Sequence, residues 1–462
     1  MASDEEIARA AIRADMEHRG FQLVGDAFVS TRTETTGSLP VERRITVSST
    51  GTVHLDDSAY GGRPGDASTL EATLRAEVFD YWPQAITQVF RRWSGDLPDP
   101  LTFEVAVALG DIATRELYTG SGLPSDLDDT DVGNTRLAAD LANLELRAGH
   151  LAGTYATTFV ESYVTPLPLV LNHQAALLQV LVLAAAAGAQ IWARVREDLR
   201  TLRTQALAAM HAASPVAGGS SVDVTLTVLG AAAAGVATFG TGAVAAVAGI
   251  LETGTALAAA VTGGAAATEP TTRPLGAPDP HGVLTKLTTL LGDGPGSLSE
   301  DIEDEETLVQ DALDQAVACA ADQTPRRFRL PAPAITTAPT ARILDAEQLI
   351  VVDASTIGRI TALWIPCIVG DLHQARSATE WDDAAAWVRS AGIGLGAFGP
   401  LNAYRRLQDL LAVLISATAG DLEEAGAALA AAAADLGLAD ATQEQRYRTL
   451  ADRITVRNRN HV

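Results

Sequence analysis

A chain of 462 residues that is 47% hydrophobic but only 5% aromatic draws much of its apolar content from alanine. Alanine favours helix and buries little area per residue, so long helices with shallow interfaces are expected in place of one large globular core. Acidic residues outnumber basic ones by 57 to 33, and the net charge of −24 repels phosphate backbones, which argues against nucleic-acid binding.

Residues 4–18 predict a short amphipathic helix. Residues 21–57 carry strand-like pieces, FQLVGDAFVS, RRITVSS and TVHLDD, separated by Gly, Ser and Thr turns. Together they predict a small α+β unit over 1–66 that ends in the linker YGGRPGD. Helical signals dominate 67–215, read as an elongated helical bundle. One helix is expected over 69–93, another over 101–118 after Pro100, then a loop over 119–131. From about Val132 the residues Leu137, Leu141, Leu144, Ala148, Leu151, Tyr155 and Phe159 form an apolar seam at helical period. Gly149 and Gly153 fall within it. Two glycines inside one helix cost ~2 kcal/mol relative to alanine, so a break is expected there. TPLP at 165–168 ends the seam. A very long helix is then expected from Pro168 to Ala213, on the order of 65 Å, with another helix alongside it.

Residues 216–270 predict an Ala/Gly-rich apolar hairpin. Val224–Leu251 holds no ionisable residue in 28 positions, and 14 of the 28 are Ala or Gly. Its length satisfies a membrane span of ~20 residues. The favoured reading of 222–263 is a helical hairpin buried against the long helices. The alternative is a bilayer-entering element that includes Gly235, Val236, Phe239 and Gly242, with the small residues Gly235 and Gly242 permitting close helix contact. Residues 271–342 read as a linker with one short helix, opened by the acidic run SEDIEDEE. Residues 343–462 predict a C-terminal helical hairpin, whose last helix carries the seam Leu407, Leu411, Leu414, Thr418, Leu422, Ala425, Leu429, and a polar, frayed tail from 437.

Chemical motifs are sparse. GLGAFG at 394–399 matches GxGxxG, but a helix-like stretch precedes it where the dinucleotide fingerprint needs a strand, so a hairpin connection is expected. The eight histidines are scattered, and no pair has metal-ligand spacing. Cys319 and Cys367 lie far apart, which argues against a disulfide framework or a structural zinc. Asp126, Asp128, Asp129 and Asp131 lack the glycine and distal glutamate of a calcium loop. No catalytic, cofactor-binding or metal-binding residue is assigned, and the chain is read as a non-enzyme.

From Leu151 the residues run Leu-Ala-Gly-Thr-Tyr-Ala-Thr-Thr-Phe. This resembles the WXG superfamily associated with ESX (type VII) secretion in actinobacteria, in which Trp-x-Gly, small residues and an aromatic mark the turn of a helical hairpin. Gly153, Ala156 and Phe159 fall on the matching places, with Leu151 where the tryptophan belongs. The resemblance covers 67–260 and, more weakly, 344–455. It implies a helical partner or self-association. The family's export signal, a Tyr followed four positions later by an acid, is absent; Tyr447 and Asp452 are five apart. Lys286 is the only lysine, and this Arg- and Ala-rich usage is that of a high-GC genome.

The sequence therefore predicts a mainly α protein, an elongated helical bundle with long helical hairpins and a small N-terminal α+β unit. Its expected function is that of a non-enzymatic scaffold or interaction protein acting through helix–helix docking. The alternative is a membrane-inserting, pore-forming-like protein using 222–263. MASDEEIARA opens without a secretory signal, so the expected location is the cytoplasm, or outside the cell by a signal-independent route, with membrane association under the alternative reading.

Overall fold

The computed structural model describes residues 2–36, 39–56, 64–95, 97–118, 134–151, 154–215, 221–237, 270–321, 327–331, 354–381 and 384–459. The fold is mainly α with a small N-terminal α+β unit. Helix α1 (Asp4–His18) starts on a capping box in which the Ser3 side chain accepts from Glu6 N and Glu6 answers at Ser3 N. Its buried face, Ile7, Ala11 and Ala14, leads into an antiparallel meander of β1 (Gln22–Val24), β2 (Ala27–Thr36), β3 (Leu39–Ser48) and β4 (Val53–Asp56). Phe28, Ile45, Val47 and Val53 put one sheet face into the core. His18 Nε2 lies 2.7 Å from the carbonyl oxygen of Ala213 and ties this unit to the end of the longest buried helix.

Helices α2 (Pro64–Leu74) and α3 (Tyr81–Phe90) follow, then α4 (Pro100–Leu117), α5 (Thr135–Ala148) and α6 (Thr154–Phe159). α2 starts inside the stretch read as linker. α5 ends at Ala148 with Gly149 as its cap and packs on the wide turn Val160–Val164, so the helix breaks at Gly149. Wide turns at Arg75–Phe79, Val160–Val164 and Ile360–Trp364 each precede a proline, Pro83, Pro166 and Pro366. A proline clashes with the carbonyl four residues back, and a locally widened helix relieves that clash.

The core is built around α7 (Leu167–Ala212), 46 residues long, which contacts α1, α4 and four later helices. Every residue from Val170 to Ala189 is buried, so this helix is apolar on all sides. Thr157–Ala212 is long and apolar enough to cross a membrane, yet 94% of its most apolar window is buried inside the fold. Two glycines bring α4 and α7 together. A Cβ at Gly188 would sit 2.7 Å from the Phe103 ring, and one at Gly110 would sit 2.6 Å from Val182. Phe103 is itself held edge-on against Trp387, at 4.7 Å between centroids. Gly188→Ala is therefore expected to lower stability by about 1–3 kcal/mol, although alanine is the better helix former. Urea unfolding checks this; an unchanged or raised midpoint contradicts it.

The region after α7 corrects three sequence expectations. The apolar segment 222–263 opens as a strand, β5 (Asp223–Leu226), because Val-x-Val-x-Leu alternation buries every second side chain. The helix α8 (Ala231–Ala237) follows it. The stretch read as linker contains β6 (Thr271–Pro274), antiparallel to β5 with Asp223 opposite Pro274 and Leu226 opposite Thr271. It then forms two helices, α9 (Pro280–Leu291), capped by Asp279, and α10 (Leu298–Ala321), where one short helix was expected. α11 (Ala354–Arg359), α12 (Ile365–Thr379), α13 (Ala384–Trp387) and α14 (Leu401–Arg459) complete the chain. The tail read as frayed from 437 is helical to Arg459. Its Ala, Leu, Gln, Glu and Arg residues are good helix formers, and one glycine, Gly437, costs only ~1 kcal/mol.

Candidate functional site

The residues of the WXG-like stretch are only partly brought together. Leu151 is half-buried just past the end of α5, and Phe159 is buried at the end of α6, its ring tilted against Tyr163 at 6.1 Å between centroids. Ala156 lies within α6. Gly153 lies outside the described residues. Of the candidate membrane residues, Gly235 and Val236 lie in α8, while Phe239 and Gly242 lie outside the described residues.

Buried carboxylates hold the entrance to the apolar segment. Asp198 on α7 accepts from the backbone N–H of Thr227, at 2.9 and 2.8 Å, and of Val228 at 2.9 Å, and from the Thr227 hydroxyl at 2.9 Å. Glu305 on α10 accepts from Gly230 N at 2.6 Å and Ala232 N at 2.7 Å, which satisfies donors at the start of α8. On the returning strand Arg273 Nη2 donates to both carboxylate oxygens of Asp301, at 2.8 and 2.9 Å. Burial pushes the carboxyls of Asp198, Asp301 and Glu305 up, against the opposing pull of these donors.

A second buried pair underlies GLGAFG. Glu306 and Arg389 bond to each other with both side chains fully inaccessible. Arg389 donates to Ile393 O at 3.1 Å and lies 5.0 Å above the Trp192 ring. Glu306 also accepts from Leu395 N at 3.0 Å. Gly394 and Gly399, at φ +55° and +48°, let the loop wrap this close; a Cβ at Gly399 would meet the Arg389 guanidinium at 2.5 Å. The loop follows the short helix α13 and leads into α14, so it is a connection, as its sequence context predicts. Burial pushes the Glu306 carboxyl up to about 7, against the pull of Arg389.

These shifts all have one sign. A carboxyl whose folded pKa is raised binds its proton more tightly in the folded state. Its contribution is fully present below the unfolded value, 3.8 for Asp and 4.5 for Glu, and is lost as pH rises through the folded value, about 7 for Glu306. The net charge of −24 acts in the same direction, because self-repulsion eases as carboxylates are protonated. The thermal midpoint is therefore expected to fall as pH rises from about 5.5 to about 8, and a rise over that interval contradicts the assignment.

The feature most suited to binding lies on α4. Phe103, Ala106, Gly110, Ala113 and Leu117, spaced 3, 4, 3 and 4, form its buried seam. Leu101, Val105, Ala108 and Ile112, spaced 4, 3 and 4, form a second apolar seam on the opposite side. Leu101, Val105 and Ile112 are 63%, 59% and 51% exposed, and Ala108 is exposed with them. No family model, curated protein or solved structure matches the chain. Both seams are written in the residue spacing of α4, which as a sequence predicts one helix of the bundle without saying which seam is covered.

Proposed function

We propose that the chain is a non-enzymatic helical interaction protein that docks a helical partner on the outer face of α4. The observation that carries this reading is the second apolar seam, Leu101, Val105, Ala108 and Ile112, whose three large residues stay more than half exposed among the described residues. A helix with one apolar stripe serves its own core; a second exposed stripe is what a helix-in-groove or helix-pair contact uses. The break between α5 and α6 supports the further proposal that the protein is of the WXG, type VII secretion-associated kind, working in the cytoplasm or after signal-independent export.

The test compares proteins captured from the native host by the wild type and by Val105→Asp. Position 105 is exposed, so stability should be unchanged while the captured helical partner disappears. Identical captures by the two proteins contradict the reading.

Insertion of 222–263 into a bilayer would require Thr227–Ala232 to leave Asp198 and Glu305. That release would leave the buried N–H groups of Thr227, Val228, Gly230 and Ala232, and the carboxyls that hold them, without partners. Flotation with anionic liposomes is expected to leave the protein unbound at about pH 5 as at about pH 7.5. Acid-dependent flotation would reinstate the membrane reading.

A further inference from the structure

Resting on the docking role of α4, we propose that the occupant of its outer face is an amphipathic helix whose apolar stripe is flanked by lysine or arginine. Among α4's own residues the exposed seam is flanked by Glu104 and Asp111 and, at its ends, by Asp99, which caps Leu101 N, and Glu116, which accepts from Asn134 and Gln374; the cation of α4 is Arg115. That cation is engaged by Asp111 at 3.0 Å. Glu104 is exposed, and Asp111 is 45% exposed at its side chain. The rim is thus negative on a chain that is itself at −24, and a cationic flank complements it.

The same charges disfavour a second copy. An antiparallel pair that sets Leu101 over the other copy's Ile112, and Val105 over its Ala108, satisfies the apolar stripe. It also places Glu104 on the same side as the other copy's Asp111, about 3 Å apart along the axis. The two acidic pairs so formed repel in the middle of the contact, while each Arg115 falls at its end, near the other copy's Asp99. A basic helix meets the identical stripe with attraction on the same side.

The seam from Leu101 to Ile112 is about 17 Å long, three helical turns, so the contact is small and its affinity is expected in the micromolar range. The test uses two labelled synthetic helices of about 18 residues with the same 4-3-4 leucine stripe, one flanked by lysine and one by glutamate. Anisotropy titration at low salt is expected to show the lysine peptide binding at least about tenfold more tightly than the glutamate peptide. Val105→Asp is expected to weaken the lysine peptide by about tenfold; because it adds negative charge, unspecific attraction would instead strengthen binding. Glu104→Lys with Asp111→Lys is expected to reverse the peptide preference. Equal binding of both peptides, lost on Val105→Asp, overturns the basic partner while leaving the docking face in place. Sedimentation showing a dimer abolished by Val105→Asp assigns the face to a second copy and overturns the proposal. Failure of the lysine peptide to bind overturns it as well, and the capture experiment with Val105→Asp then decides whether the docking role falls with it.

Discussion

Arg389→Met is expected to destabilise the fold by about 3–5 kcal/mol at about pH 8, and by clearly less at about pH 5.5. Glu306 and Arg389 are both fully inaccessible, so removing the cation leaves a carboxylate in the core with only Leu395 N as a donor. Its carboxyl is already pushed up to about 7 by burial. Without Arg389 it can escape the penalty by taking a proton, which is easier at the lower pH. The loop loses more than charge, because Arg389 also donates to Ile393 O and stacks on Trp192. Replacing both partners, Glu306→Leu with Arg389→Met, is expected to recover most of the loss, since an apolar pair needs no compensation. Urea unfolding at the two pH values reads all of this. A loss below about 1 kcal/mol, or one independent of pH, contradicts the role assigned to the pair.

Asp198→Ala is expected to free the start of the apolar segment without unfolding the bundle. The substitution strips the acceptor from two backbone N–H groups and one hydroxyl in a buried place, at about 1–3 kcal/mol for each donor left unsatisfied. Those donors belong to Thr227 and Val228, between β5 and α8, so the opening is local. Hydrogen exchange is expected to rise across residues 223–232 while α4 and the middle of α7 keep their protection. Asp198→Asn, which retains one carbonyl acceptor, should have a smaller effect. A uniform rise over the whole chain would mean that Asp198 supports global stability and holds no separable element.

Much of this architecture was legible from residue spacing. The long α7 announced itself by an uninterrupted helical stretch between Pro168 and Ala213, and the break after α5 by Gly149. The N-terminal strands were bounded by their turn residues. What escaped was tertiary. SEDIEDEE looks like a solvated run, yet Asp301, Glu305 and Glu306 are buried. The signal was present: Asp301 and Glu305 lie four apart, in phase with Leu298, Ile302 and Val309. Nothing local distinguishes such acids from surface ones, because their partners, Arg273, Arg389 and the N–H groups of 230, 232 and 395, are far away in sequence or on the backbone. β5 and β6 were missed for a related reason. Each has four residues, and their pairing spans a 44-residue excursion from 227 to 270. The candidate docking face escaped because spacing shows two apolar seams on α4 but cannot say which of them the fold leaves uncovered.

The most direct test of α4 as a docking face is photo-crosslinking in the native host. A photoreactive residue would be placed at Val105, with a control at the exposed Asn143 on α5. The account predicts a discrete adduct from 105, absent from 143, whose crosslinked peptide in the other protein is an amphipathic helix. No adduct at 105, or the same adducts from both positions, would contradict it.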